Sequence, residues 1–449
     1  MAKISYPAVP KRPIKPAIDR LFWRAGFGPS TSDRAVYAKR GLGAAIESLV
    51  APPKQRFAGK QLRYRDGDNF FPINPNSDDD NAWQQEVLWW LDKMVRSRAP
   101  LVERMTLNLH DHFATSNHKV NSRPQMIAQN ELIRRHALGS FDALCKGMTR
   151  DHAMQQWLDL VNSDPEHPNE NYAREFMELF TIGLNYTQKD VTEIARAFTG
   201  FRFDWDTKRY WFDPENHDEG AKSIFGQRGN WTADDAIRLC LEHPAHAPYF
   251  CRKMWGYFVP AAPSAARLRL LTTNYKASGR NLGALVKTIL RSPELYSNLD
   301  QPDMVKPPVV HLVGALRTIK APYLQGSFRW QLDQMGQLPF YPPHVGGWDQ
   351  GEAFLSTGTA KARFEAMGSV LQIRQIKEAS VPVTETPAQA LALVRAQTGT
   401  GWESAGTRAQ LARTAARYKP QWNDDEHFAT ERRLVLRHLL LAGPDAWMH

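Results

Sequence analysis

The stretch NENYAREFMELFTIG (residues 169–183), followed almost at once by NYTQKDVTEIARAFTG (residues 185–200), decides how the chain is read. Laid on a helical period of about 3.6 residues, Tyr172, Phe176, Leu179 and Phe180 form one apolar face. Asn171, Glu175 and Glu178 fall at i, i+4 and i+7, on the stripe beside that face. Two carboxylates at the edge of a buried surface cost free energy unless a cation, a histidine or a metal ion compensates them. Arg174 and Arg196 are the nearest compensators. One segment therefore predicts both a helix pair and a candidate site.

Helical periodicity continues on either side. A short helix over residues 18–26 ends at glycine, and Ser32 is placed to cap the next, which leads into residues 43–51. Residues 79–98 read as a tryptophan-rich helix with Trp83, Val87, Trp90, Leu91 and Met94 on one face. Residues 100–116 begin with proline at a compatible first-turn position. Further helices follow over residues 126–138, 140–149 and 152–160. After residue 231, Thr232 and Asp235 form an [ST]-x-x-[DE] start, and helices run on through residues 246–259, 264–277, 281–292 and 305–316. Residues 52–76 are polar, proline-bearing and aperiodic, which predicts a surface excursion. FRFDWDTKRYWF (residues 201–212) alternates Phe201, Phe203 and Trp205 before polar turn residues, then Tyr210 and Phe212, and predicts a β-hairpin.

The fold class expected is thus mainly α: a multi-helical single large domain with a small β-hairpin insertion near residues 201–212. A Pro-, Val- and Thr-rich stretch at residues 379–386 marks a boundary. It divides a helical core of residues 1–378 from a C-terminal helical extension, residues 379–449, packed on that core.

Composition narrows the function classes. The apolar content of 42% fits a folded globular chain, and no run approaches the roughly 18 apolar residues a membrane helix needs. The N-terminal residues lack an apolar h-region, so the chain reads as cytoplasmic as given, or as the mature form of an exported protein. Cys145, Cys240 and Cys251 are odd in number and contain no C-x-x-C pair, which points to packing residues rather than disulfides or a thiolate metal site. The net charge of +10 keeps an acidic polysaccharide open as a partner. The basic residues are too scattered, and lack a binding module, for nucleic acid to be favoured. There is no G-x-G-x-x-G after a strand, no P-loop, no H-E-x-x-H and no G-x-S-x-G, so nucleotide cofactors and the common hydrolase elbows lose their support.

Several segments, in order and spacing, resemble a bacterial family known as domain of unknown function 1800. They are RLFWRAGFGPS (20–30), ERMTLNLHDHF (103–113), QNELIRRHALGSF (129–141), PNENYAREFMELFTIG (168–183), DVTEIARAFTGF (190–201), HDEGAKSIFG (217–226), APYFCRKMWGYFV (247–259) and the 342–348 loop. The resemblance covers about residues 17–375. It implies a predominantly helical fold, often in exported proteins, and supplies no reaction. Leu109 departs from the family's pattern, which places tryptophan before its H-x-H.

Four constellations can carry chemistry. His110 and His112 are two apart and point about 160–200° away from each other in a regular helix, so a shared metal would require the helix to end or distort between them. Glu175 and Glu178 sit within one turn, as carboxylate ligands do in paired-metal bundles, but without the E-x-x-H that marks those centres. An ion-pair lattice of Arg174 with Glu170 and Glu178, completed by Arg196 and Glu193, is the structural alternative. His217, Asp218 and Lys222 lie together directly after the hairpin, in a loop suited to acid–base work. The QLPFYPPHVGGWDQG loop (residues 337–351), with Tyr341 and Trp348, joins Trp205 and Trp211 as an aromatic surface on which sugar rings stack.

These readings lead to an enzyme with a His/carboxylate pocket covered by the 342–348 loop. Its expected catalytic groups are His112, His217, Glu175, Glu178, Asp218 and Lys222. Asn171, Arg174, Trp205, Trp211, Tyr341 and Trp348 are expected to bind. His110, His112, Glu175 and Glu178 are the candidate ligands of a divalent zinc, manganese or iron ion. Hydrolysis or elimination on a carbohydrate or similar polar polymer is the expected chemistry, with an oligosaccharide or polar small molecule as substrate. A metal-dependent oxidoreductase, or a non-catalytic binding or assembly protein with a structural Arg/Glu network, are the alternatives.

Overall fold

The computed structural model describes residues 4–75, 84–204, 206–207, 209–373, 385–399, 402–417 and 425–449. Helices dominate, and the described strands form only one three-stranded and two two-stranded sheets. The chain is mainly α with small β-hairpins. Trp83, Trp205 and most of the expected boundary at residues 379–386 lie outside the described residues. Contacts divide the chain into two compact units, each assembled from separate stretches of sequence.

The first unit comprises Met1–Ala8, Val102–Ser292 and Phe340–Trp348. Its core is aromatic: Phe141 lies 4.1 Å from Phe250 and 6.0 Å from Phe113, ring centre to ring centre. Thr187 with Asp190 and Thr232 with Asp235 form capping boxes for helices Gln188–Ala197 and Ala233–Glu242, each cap contributing about 1 kcal/mol. The hairpin expected at residues 201–212 is present, with Phe201–Asp204 antiparallel to Arg209–Phe212. A second hairpin, Lys222–Ile224 with Gln227–Gly229, turns at Phe225 and Gly226, both at positive φ. That is the geometry of tight hairpin turns.

The deciding stretch at 169–183 departs from a regular helix. Helix Glu170–Glu175 passes into a π-helical turn, Phe176–Thr181. The Ile182 N–H donates to the Met177 carbonyl at 2.7 Å, and the Thr181 hydroxyl donates to the Phe176 carbonyl at 2.6 Å. Both bonds reach back five residues and so widen the turn. The expected apolar face is shifted as a result: Tyr172, Phe176 and Phe180 are buried, but Met177 turns inward and Leu179 is only half-buried.

The second unit comprises Val9–Leu101, Pro293–Pro339 and Asp349–His449. Ser30, not Ser32, caps helix Thr31–Val50, through a capping box with Asp33, and the helix kinks at Gly41. Helix Gln85–Arg96 buries Val87, Trp90, Leu91 and Met94 completely. The stretch expected to be an aperiodic excursion contains a hairpin, Arg63–Asp66 with Asn69–Pro72, extended by a parallel strand at Leu324–Gln325. Its Gly67–Asp68 loop is a two-residue hairpin turn that the charged strands concealed. Helices Pro387–Thr398, Ala405–Arg417 and Asp425–Ala442 share a small core around Leu391, Val394, Leu411 and Leu436. Among the described residues no helix is long and apolar enough to cross a membrane.

Candidate functional site

The expected site residues that are described belong to the first unit, and they make separate sets of contacts. Helix Pro100–His112 carries His110 and His112, both about 1% exposed. Their rings point to different neighbours, as their spacing demands. The Phe340 N–H donates to His110 Nε2 at 3.1 Å, so Nε2 is the acceptor and the proton sits on Nδ1. His112 Nε2 lies 3.1 Å from the Phe180 carbonyl, which can only accept, so here Nε2 is the donor. Burial drives the His110 imidazolium pKa down to about 3 and that of His112 well below its ordinary range. Both rings are neutral, and one helix holds them in opposite tautomers.

His112 has a structural task. The π turn ends with carbonyls that no helical N–H reaches. Phe180 receives His112, Thr181 receives His246 Nδ1 at 2.9 Å, and Leu179 receives the Tyr249 hydroxyl at 3.0 Å and Lys253 Nζ at 3.4 Å. Two buried histidines, a phenol and an amine thus cap the widened turn.

The acids are placed separately. Glu170 pairs with Arg174 at 3.2 Å, whereas Glu178 accepts a very short bond from the Tyr186 hydroxyl instead of the expected Arg174. The π turn has rotated Glu178 out of the i+4 register. Glu175 is half-buried, and burial together with repulsion from Glu178 raises its pKa. Arg196 does bind Glu193, at 3.0 Å, and its stronger bond is with Asp218, at 2.6 Å. Burial opposes ionisation of Asp218, but Arg196 holds its carboxyl below the usual carboxylate range. Lys222 is buried and gives its ammonium protons to the Asp218 and Gly220 carbonyls. His217 Nδ1 contacts the Thr199 carbonyl at 3.0 Å. The His217–Lys222 loop is therefore tied to the end of helix Gln188–Ala197, and its partners differ from those of His112 and Glu178.

Of the expected binding residues, Asn171 is exposed and reaches Asp159, and Trp211 is exposed under Arg209. The Tyr341 hydroxyl receives the Asn117 amide at 3.2 Å. Among the described residues, no three His, Cys, Asp or Glu side chains gather as a group able to hold a metal ion, so His110, His112, Glu175 and Glu178 do not converge. The three cysteines are buried thiols, as expected.

What the structure does bring together is a cluster around Asp111, between the two histidines. Asp111 Oδ1 accepts from the Trp348 N–H at 2.8 Å and Oδ2 from the Tyr257 hydroxyl at 2.6 Å. Gly347, at φ +91°, lies so close that a Cβ there would collide with the carboxylate. The 342–348 loop is fastened to the helix end through this one acid. Burial raises the Asp111 pKa against these bonds, at a helix C-terminus where a negative charge is already disfavoured. Helix His246–Gly256 and the residue that follows it place Tyr249, Lys253 and Tyr257 one turn apart on one face. Burial lowers the Lys253 pKa while Asp111 opposes that shift. Burial and the nearby Glu178 push the Tyr249 phenol up to about 12. Tyr249, Lys253 and Tyr257 are half-buried, whereas Asp111 is buried. The i, i+4, i+8 spacing of Tyr249, Lys253 and Tyr257 was the sequence signal for it.

A family model matches residues 20–448, nearly the whole chain. The chain belongs to the family described as protein of unknown function (DUF1800). Comparisons with curated proteins and with solved structures find no match. For this DUF1800 chain, the family motifs 103–113, 168–183, 247–259 and 342–348 supply Asp111, Glu178, the Tyr249–Lys253–Tyr257 face and Trp348 respectively.

Proposed function

We propose that the protein is an acid–base enzyme acting by elimination or hydrolysis on a carbohydrate or similar polar polymer, centred on Asp111, Glu178, Tyr249, Lys253 and Tyr257. The observation that carries this reading is the meeting of a half-buried amine, two phenols and two carboxylates, in which burial lowers the Lys253 pKa and raises those of Asp111 and the two phenols. Such opposed shifts are how acid and base roles are assigned within one site. Elimination is the better fit. It needs a base for the proton beside a uronate carboxylate, a cation for the charge that develops there, and an acid for the departing oxygen. Lys253 and the two phenols supply these, and the net charge of +10 favours an acidic polymer. Hydrolysis would rest on Glu175 and Glu178.

The test is a panel of uronate-containing and neutral polysaccharides, followed by ultraviolet absorbance of unsaturated products and by release of reducing ends. Lys253→Met is expected to lower the rate about 100-fold or more, while His217→Ala leaves it unchanged. Cleavage that survives both Lys253→Met and Glu178→Gln would overturn the assignment. A metal-dependent form of the reaction is tested by elemental analysis of the purified protein, zinc or manganese favouring hydrolysis and iron or copper an oxidoreductase. A second reading, a non-catalytic binding or assembly protein, is favoured by the Arg196–Glu193–Asp218 network and the histidine caps, which have structural partners. Absence of cleavage across the panel would favour it.

A further inference from the structure

The second unit holds a cavity of about 110 Å³ whose wall includes Trp23, Lys306, His311, Gly314 and Ala446. A cavity of about 150 Å³ is known to accept benzene, so this one suits a ligand of a few heavy atoms. Exposed Gln301 also lines it. Trp23 is held rigidly: a Cβ on Gly314 would lie 2.6 Å from its indole and one on Gly28 would lie 2.7 Å from it. Lys306 Nζ stands 3.7 Å from the centre of that indole and donates to the Ala446 carbonyl at 2.8 Å. Among the described residues no carboxylate pairs with this amine. The charge that acts on it is the like-signed Arg363, which is fully buried.

His311 completes the arrangement. Its Nε2 lies 2.8 Å from the Leu441 carbonyl and so carries the proton, which leaves Nδ1 as an acceptor. That Nδ1 is buried and has no hydrogen-bond partner among the described residues. An anionic ligand would look to Arg20, on the same wall. Arg20 is already engaged by Asp303 at 2.9 Å and by the Gln301 and Asn298 carbonyls at 2.9 and 3.1 Å. A neutral ligand that reacts with an amine fits the wall better than an anion does.

We propose that this cavity is a ligand site at which the Lys306 amine condenses with a small aldehyde or ketone, between the Trp23 indole and the His311 Nδ1 acceptor. The Nζ lone pair forms a bond to the carbonyl carbon while the carbonyl π pair moves to oxygen, which takes up a proton. The resulting carbinolamine loses water to leave an imine, so amine and carbonyl give imine and water with no change in oxidation state. A lysine deprived of its counter-charge in a buried site is the usual starting point for such chemistry.

The experiment uses the full chain, glycolaldehyde as the probe and cyanoborohydride to reduce any imine to a stable secondary amine, with peptide mapping by mass spectrometry. At pH 7 the adduct is expected at Lys306 at least about tenfold faster than at any other lysine, because burial brings its pKa down to about 7. Lys306→Arg should abolish that adduct, and His311→Gln should slow it. Adducts on other lysines with Lys306 unmodified in the folded wild-type protein would overturn the proposal without reliance on any variant.

Discussion

Each unit holds a lysine whose ammonium burial disfavours, half-buried Lys253 and buried Lys306, and they treat it in opposite ways. Lys253 in the first unit keeps an acid within range of its charge, and a phenol and a carbonyl share its surroundings. Lys306 in the second unit has an indole face, one carbonyl and a like-charged guanidinium. Burial lowers both pKa values, but only for Lys253 does a carboxylate pull back. A buried cation that keeps its counter-charge remains a cation, and one without it approaches a neutral amine. The first arrangement suits charge stabilisation and proton transfer, the second nucleophilic attack.

The sharpest way to break that comparison is the pH dependence of stability. The folded pKa of Lys306, about 7, lies below its unfolded value of 10.5. The unfolded chain therefore binds more protons between those values, and stability rises with pH across that window by up to about 1.4 kcal/mol per unit. Below pH 7 the penalty is fully present. Lys306→Met is expected to be more stable than wild type at pH 7, with the gap closing as the pH nears 10, as read by urea unfolding at several pH values. A constant gap would mean that Lys306 keeps its charge.

Removal of the counter-charge in the first unit is the next largest effect. Asp111→Ala strands the Tyr257 hydroxyl and the Trp348 amide and takes away the acid facing Lys253, which should cost about 3 kcal/mol in chemical denaturation. Gly347→Ala should cost about 2 kcal/mol, since it combines a strained positive φ with a collision against Asp111. If Gly347→Ala is neutral, the loop is not anchored through that carboxylate. The smallest effects belong to the ion pairs. Arg196→Met breaks a partly buried pair with Asp218 and should lose about 1 kcal/mol, whereas Arg174→Ala, at a more exposed pair, should lose less than about 0.5 kcal/mol.

Much of this was legible in residue order. The helical periods, the capping pairs Thr187/Asp190 and Thr232/Asp235 and the 201–212 hairpin follow from local rules that act within a few residues. The opposite facing of His110 and His112 follows from their spacing alone. The hairpin at residues 63–72 escaped because its strands alternate poorly and carry charge, and its Gly67–Asp68 turn was the only local mark. The π turn escaped because no residue type specifies it: side chains from remote stretches, among them His112 and His246, satisfy its carbonyls. Of the expected lattice, only the Arg174–Glu178 pair is replaced, by Tyr186 on Glu178, while the Arg174–Glu170 and Arg196–Glu193 pairs are formed.

Sequence by itself determined the helical class, the family and the candidate residue types, because propensity, periodicity and motif order are properties of neighbours along the chain. Tertiary structure alone decided which acid meets which cation. Arg196 holds Asp218 from 22 residues away, and Asp111 receives Tyr257 from 146 residues away. The proton affinity of a side chain depends on burial and on charges brought near by folding, and linear spacing carries no record of either.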